Sequence, residues 1–223
     1  MRKTIFTLII LLLASPFVEA KDAKHSSKQS PPDIFLGFQT LPFGSSHGEV
    51  RQYLIDKNYL PFDSRKEGYY DDKLTRAIRI HDFKLGSLTV AVVFLFNHNY
   101  KFYAFYFETM QLDAGHFNTI VQVSGRVLTD VFKAKYGTPK KCFEPTFIDL
   151  KTGSTSYLCT WNQNDLEIYT GFSKEALIGQ WAETTGFQYA AVGYVSLKSM
   201  GKEQEEFERT TENEDTKEAV GNF

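Results

Sequence analysis

The stretch that decides the fold is Val90–Phe107, which reads VAVVFLFNHNYKFYAFYF. Two apolar runs flank the tripeptide Asn97-His98-Asn99, and asparagine tolerates the positive φ angles that tight turns require. Valine and the aromatic residues are also enriched in β-strands. The stretch therefore predicts a β-hairpin whose strands are apolar enough to lie at the centre of a sheet.

Both faces of this hairpin carry apolar side chains. With a two-residue turn at His98-Asn99, one face holds Val90, Val92, Phe94, Phe96, Tyr103, Phe105 and Phe107, and the other holds Ala91, Val93, Leu95, Tyr100, Phe102, Ala104 and Tyr106. A sheet that helices cover on one side only should alternate apolar with polar residues. We therefore expect the second face to be covered as well.

Two kinds of cover are open from the sequence. The chain itself can supply the cover through residues 34–43 or 173–186, or the cover is a protein partner, a second copy of the chain or an apolar ligand. Because exposed aromatic patches mark interaction sites, we take an aromatic sheet face as the candidate binding surface. Its candidate binding residues are Phe94, Phe96, Tyr103 and Phe105.

Helix and strand signals on either side of the hairpin repeat in the same order. Ser46 and Glu49 form a capping-box pattern that predicts a helix over residues 48–57. Apolar residues at steps of three and four before Gly137 predict a second helix over residues 117–136. The other predicted strands cover residues 76–83, 142–150, 156–162, 166–171 and 188–197. Two helix-plus-three-strand (αβββ) units predict a two-layer α+β fold, with a mainly antiparallel sheet and both helices on one face.

The N-terminal segment has the three-part pattern of a secretory signal peptide. A basic start precedes an apolar run of about ten residues, which is too short to span a bilayer, and Ala20 ends a small-residue cleavage pattern. We expect residues 1–20 to be removed, residues 21–33 to form a flexible leader and residues 34–200 to form one α+β domain. The mature protein would then be periplasmic or extracellular and have no transmembrane segment.

Charge is distributed unevenly along the chain. The formal net charge is −2, from 25 basic and 27 acidic residues, which argues against a nucleic-acid partner. Residues 201–223 hold eight acidic and three basic residues without an apolar period. This segment is therefore predicted to be an acidic disordered tail.

The two cysteines, Cys142 and Cys159, are expected to form a disulfide in an oxidising compartment. A bridge that closes a loop of this size stabilises a protein by about 3 kcal/mol. A turn at Thr152-Gly153 would place Cys159 opposite Thr146, so the bridge requires the chain before Phe143 to bend back.

Motifs for catalysis and cofactors do not occur in recognisable form. The five histidines show no spacing that places two metal ligands on one helix face, the serines lie in no nucleophile elbow, and the glycines form no phosphate loop. The sequence therefore predicts no catalytic residue, no metal site and no cofactor, and we do not expect an enzyme. A hydrolase with a site assembled from distant residues ranks last among the hypotheses.

Several residues resemble a known group of proteins. They are Phe43-Gly44-Ser45-Ser46, Glu49-Val50 and Leu54 at the first helix, and Tyr136-Gly137-Thr138-Pro139 and then Trp161 after the second. The layout of residues 40–197 resembles small exported bacterial α/β proteins, which include outer-membrane assembly lipoproteins and secreted β-lactamase-inhibitor proteins. The resemblance implies a binding module rather than an enzyme, although the lipid-anchoring cysteine of the assembly lipoproteins is missing.

The sequence leaves two hypotheses for the function of the protein. The first is an exported protein-binding module that uses its aromatic sheet face to bind a protein partner or a second copy of itself. The alternative is a carrier that holds a small apolar ligand or a lipid in the helix–sheet interior.

Overall fold

The fold is described from a computed structural model, in which residues 37–60, 70–72, 76–177 and 186–221 can be described. The predicted signal peptide (1–20) and leader (21–33) lie outside these residues. The helices are α1 (His47–Asp56), α2 (Gln122–Tyr136) and α3 (Lys198–Gly221). The strands are β1 (Gly37–Phe38), β2 (Leu41–Pro42), β3 (Tyr70–Asp72), β4 (Ala77–Leu85), β5 (Leu88–Phe96), β6 (Phe102–Glu108), β7 (Lys141–Cys142), β8 (Ser154–Gln163), β9 (Leu166–Leu177) and β10 (Gly186–Leu197).

Eight of these strands form one sheet in the order β3-β4-β5-β6-β10-β9-β8-β7, and all of its strand pairs are antiparallel. Strands β1 and β2 form a small separate sheet. Strands β3–β6 follow α1 in the chain and form the first half of the large sheet, and strands β7–β10 follow α2 and form the second half. The last strand of each half, β6 or β10, lies at the centre of the sheet. The predicted α+β class with two helix-and-strand units is therefore confirmed.

Helix α1 begins where the sequence predicts it. The backbone N–H of Ser46 donates to Glu49 Oε2 over 2.7 Å, and the N–H of Glu49 donates to Ser46 Oγ over 3.3 Å, which completes the capping box. Asn58 follows the helix with a φ of 56°, the left-handed conformation that asparagine tolerates.

Helix α2 is preceded by a 3₁₀ turn (Ala114–His116) and a π-helical turn (Phe117–Val121). It ends at Gly137, which has a φ of 76°, and the indole N–H of Trp161 on β8 donates to the Gly137 carbonyl over 2.8 Å. The end of the helix is therefore tied to the sheet that it covers.

Helices α1 and α2 pack on the same face of the large sheet. His47 of α1 lies 4.7 Å from Phe96 on β5, and Phe132 of α2 lies 6.0 Å from Phe107 on β6, measured between ring centroids. Helix α3 packs on the opposite face, where its buried Gln204 lies beside the β5–β6 turn. The prediction that both predicted helices lie on one face is therefore confirmed, and α3, which the sequence did not predict, lies on the other face.

Two glycines allow α2 to approach the sheet closely. A Cβ atom on Gly125 of α2 would lie 2.4 Å from the ring of Phe172, and one on Gly193 of β10 would lie 2.7 Å from the ring of Phe132. Both rings are buried, so neither has free space into which to move. Glycine is therefore required at these positions by packing.

We expect Gly125→Ala to lower the free energy of unfolding by about 1–3 kcal/mol through overpacking, although alanine is the better helix former. Gly48→Ala in α1 is the matched control, since nothing lies within 4 Å of the added Cβ, and it should be neutral or stabilise by up to about 1 kcal/mol. Urea unfolding followed by circular dichroism measures both changes. Equal effects of the two variants would contradict the packing argument.

The predicted disulfide between Cys142 and Cys159 is present, with an S–S distance of 2.00 Å. Strand β7 is only two residues long, and it pairs Cys142 directly with Cys159 of β8. After Cys142 the chain leaves the sheet and forms a 3₁₀ turn over Phe147–Asp149, so it does not continue as the strand predicted over residues 142–150. This departure removes the register conflict that a continuous hairpin would create.

Reduction of the bridge should lower the free energy of unfolding by about 3 kcal/mol, because the unfolded chain regains the freedom that the closed loop removes. Urea unfolding with and without a thiol reductant measures the change. The double variant Cys142→Ala/Cys159→Ala should be as unstable as the reduced protein and should not respond to the reductant. A similar response of this variant would show that the reductant acts elsewhere.

Candidate functional site

Three of the four candidate binding residues lie in the hydrophobic core. Phe94, Phe96 and Phe105 are 0%, 3% and 2% exposed. Phe38 of β1 covers two of them, with its ring centroid 4.9 Å from that of Phe94 and 5.3 Å from that of Phe105. Phe38 and Phe43 therefore pack on the face that α1 and α2 also cover. The sequence had offered their segment as a cover of the second face, where the structure does not place these two rings.

The fourth candidate, Tyr103, lies on the opposite face, because strand β6 contains a β-bulge. Leu95 pairs with Ala104, but the next residue of β5, Phe96, pairs with Phe102, so Tyr103 is the extra residue. The connection between the strands is longer than the predicted two-residue turn, and Tyr100 has a φ of 55°. The predicted face assignment of Phe102 and Tyr103 was therefore wrong.

The cause of the bulge is a long-range contact of the backbone. The N–H of Gly44 donates to the Phe102 carbonyl over 2.7 Å, and the N–H of Phe102 donates to the Ser45 carbonyl over 2.8 Å. These bonds hold the start of β6 against the entry to α1. The ring of Phe102 then points into the core, where it lies 5.7 Å from Phe94 between ring centroids.

A row of tyrosines crosses the face of the sheet opposite α1 and α2. Tyr106, Tyr194 and Tyr169 are register partners on β6, β10 and β9. The Tyr169 and Tyr194 rings are stacked, with centroids 4.8 Å apart and planes 17° apart, and Tyr157 of β8 meets Tyr169 edge-on at 4.7 Å. We call these four residues, together with Tyr103, the tyrosine face.

The side chains of the tyrosine face are partly exposed to solvent. Tyr157 is 51% exposed, and the other four side chains are half-buried. Burial raises the pKa of Tyr103, Tyr106, Tyr169 and Tyr194, and nearby carboxylates add to the effect, including Glu108 at Tyr106 and Glu167 at Tyr194. The hydroxyl groups therefore stay protonated and neutral across the physiological pH range.

Helix α3 borders this face, where the sequence predicted a disordered tail from residue 201. The Phe207 ring stacks on His98 of the β5–β6 turn, with centroids 4.4 Å apart. The N–H of His98 donates to Gln204 Oε1 over 2.5 Å, and Asn99 Nδ2 donates to Glu203 over 3.1 Å. The prediction failed because these anchors are few and bind a distant turn, so they leave no apolar period in the sequence.

Two of the depressions that the described residues form on the tyrosine face share Tyr194. The first, of about 350 Å³, lies between the sheet and α3 and is lined by Tyr103, Glu167, Tyr194, Ser196, Lys198, Gly201, Lys202, Gln204, Glu205 and Glu208. The second, of about 220 Å³, is lined by Leu95, Tyr106, Glu108, Thr155, Tyr169, Ser173, Glu175, Val192 and Tyr194. We call the second depression the tyrosine cup.

The depression that the described residues form in the helix–sheet interior offers little room for a ligand. It has a volume of about 80 Å³ and lies among Phe38, Phe83, Phe105, Phe107 and Phe132. Sites for small molecules usually measure about 300–1,000 Å³. The geometry therefore gives the carrier hypothesis no support in this part of the molecule.

Chemistry-bearing side chains are dispersed in the part of the chain that the structure describes. No group of three or more His, Cys, Asp or Glu side chains converges there as a metal site would require. His116 Nδ1 lies 2.8 Å from Asp113 Oδ1, whereas the His98 ring stacks on the Phe207 ring at the β5–β6 turn. No helix among the described residues combines the length and apolar character needed to cross a membrane.

The chain matches no protein-family model, no curated protein and no solved structure. The resemblance to small exported bacterial α/β proteins therefore stays a prediction. The function has to be argued from the residues of the chain itself.

Sequence reasoning missed Tyr157, Tyr169 and Tyr194. A usable signal for Tyr169 is the alternation Leu166-Glu167-Ile168-Tyr169, in which Leu166 and Ile168 are buried on the helix side and Glu167 and Tyr169 face outward. Period-two alternation of this kind places a tyrosine on the solvent side of a strand.

We expect the free energy of unfolding to depend on the tyrosine face at alkaline pH. The pKa values of four phenols, those of Tyr103, Tyr106, Tyr169 and Tyr194, are raised in the folded protein. The unfolded chain therefore releases these protons first, so stability is complete below about pH 10 and falls as pH rises through the folded-state pKa. The double variant Tyr169→Phe/Tyr194→Phe should lose stability less steeply in this range than the wild type. Urea unfolding at a series of pH values measures the slopes, and identical slopes would contradict the expectation.

Proposed function

We propose that the chain is an exported protein-binding module and that the tyrosine face is its binding surface. The observation that carries the proposal is the row of tyrosines on the sheet face that α1 and α2 leave open. Of the four binding residues that the sequence predicted, the chain itself covers the three phenylalanines, whereas Tyr103 belongs to the tyrosine face. The proposal therefore moves to the opposite face of the same sheet.

Tyrosine suits a protein interface for physical reasons. Its ring is large and rigid and loses little conformational entropy on binding, and its hydroxyl can both donate and accept a hydrogen bond. Three rings of the row already contact each other, since Tyr169 stacks on Tyr194 and meets Tyr157 edge-on. A partner therefore meets a preorganised surface and need not immobilise it.

Charged groups surround the row, as in the polar rim of an interface. Arg79 and Glu108 form an ion pair at one side with an N–O distance of 2.7 Å, and Lys198, Lys202 and Glu205 line the depression at the other. Export is the second part of the proposal. A disulfide and the lack of a membrane-spanning helix among the described residues are both compatible with it.

The test compares serine variants of the tyrosine face with a matched control. Tyr157→Ser and Tyr194→Ser remove rings from the row. The control Phe147→Ser removes an aromatic ring that is also exposed but packs against Phe117 on the helix side of the sheet. The purified protein is incubated with the exported fraction of the producing cell, and each protein that it retains is identified, purified and titrated by calorimetry. Circular dichroism checks that every variant is folded.

We expect each tyrosine variant to weaken binding of the partner at least about tenfold, because aromatic side chains at the centre of an interface contribute most of its energy. Phe147→Ser should bind as the wild type does. Equal affinity of all variants, or a loss caused by Phe147→Ser alone, would overturn the proposal. Sedimentation of the protein alone shows whether the occupant is a second copy of the chain.

A further inference from the structure

The tyrosine cup has the size of one side chain. Its volume of about 220 Å³ is smaller than the usual site for an entire small molecule. Tyr106, Tyr169 and Tyr194 line it together with Val192, and Ser173 and Thr155 line it on neighbouring strands. Gly171, which lies between Val192 and Tyr157 in the register, contributes no side chain to this part of the face.

A buried hydroxyl in the cup has no hydrogen-bond partner among the described residues. Ser173 is 9% exposed, and its Oγ makes no hydrogen bond among the described residues. A buried polar group without a partner costs free energy, and native proteins satisfy most such groups. The Ser173 hydroxyl is therefore available to a group that enters the cup.

The charge of the cup is negative. Two carboxylates, Glu108 and Glu175, line it, and no basic side chain does so within the described part of the chain. Arg79 donates to the Glu108 carboxylate over 2.7 Å and balances its charge, and Gln111 donates to it over 3.0 Å. Glu175 is exposed and its charge remains available.

We propose that the tyrosine cup binds the guanidinium group of an arginine side chain carried by the partner protein. This inference rests on the proposed function and deepens it, since it names the chemistry that the partner must present. A guanidinium group is planar, stacks on aromatic rings and donates several hydrogen bonds. In the cup the guanidinium group contacts the tyrosine rings and the Glu175 carboxylate. The Ser173 hydroxyl accepts a hydrogen bond from one of the guanidinium N–H groups.

The test uses two short Gly/Ser peptides that differ only in their central residue, which is arginine in one and citrulline in the other. Citrulline has nearly the same shape but no charge. Amide chemical shifts of the full protein, followed by NMR during titration, locate each peptide and give its dissociation constant. We expect the arginine peptide to shift amides around Ser173 and Tyr194 and to bind about tenfold more tightly than the citrulline peptide.

Variants test which groups of the protein recognise the cation. Glu175→Gln should weaken the arginine peptide about threefold or more and leave the citrulline peptide unchanged. Glu144→Gln is the matched control, because Glu144 is also exposed but pairs with Arg126 of α2 on the other side of the sheet. Ser173→Ala should weaken the arginine peptide without lowering the free energy of unfolding, since it removes a hydroxyl that has no partner.

Three outcomes overturn the inference. They are equal affinity for the two peptides, shifts that map away from the cup, and equal effects of Glu175→Gln and Glu144→Gln. A partner that depends on Tyr157 and Tyr194 but not on Glu175 would overturn only the arginine assignment and leave the proposed function standing. A partner that ignores the tyrosines overturns both.

Discussion

The separation of phenylalanine from tyrosine between the two faces of the β5–β6 hairpin is the constraint on which the rest of the structure depends. Phenylalanine has no polar atom and is buried without any hydrogen-bond requirement, whereas the tyrosine hydroxyl needs water or a partner. Phe94, Phe105 and Phe107 therefore face α1, α2 and β1, and Tyr106 and Tyr194 face away from them. The surface available for binding follows from this separation.

The same separation links the two halves of the chain. The centre of the sheet is the pair β6 and β10, and Tyr106 of the first half stands opposite Tyr194 of the second. Tyr169 and Tyr157 extend the row across the second half only. The candidate site thus requires both halves of the sheet, because neither half carries the full row of tyrosines. Loss of the β6–β10 pairing would divide the row.

Local signals predicted the local structure well. The capping box at Ser46, the stop of α2 at Gly137 and the hairpin β5–β6 depend on neighbours in the sequence, so they were visible there. The position of Tyr103 was not visible in the sequence, since it depends on hydrogen bonds between Phe102 and the entry to α1. Helix α3 was missed for a similar reason, because its anchor is the stacking of Phe207 on a turn that is distant in the chain.

The two ends of the sheet are very short strands, and this affects how copies of the protein can meet. Strand β7 has two residues and β3 has three, and the disulfide fixes β7 to β8. A long, open edge strand would invite backbone pairing with another molecule and growth into fibrils. The outermost described strands are too short to serve as such a template themselves, and the covalent bond keeps β7 in the place beside β8 that a strand of another molecule would take.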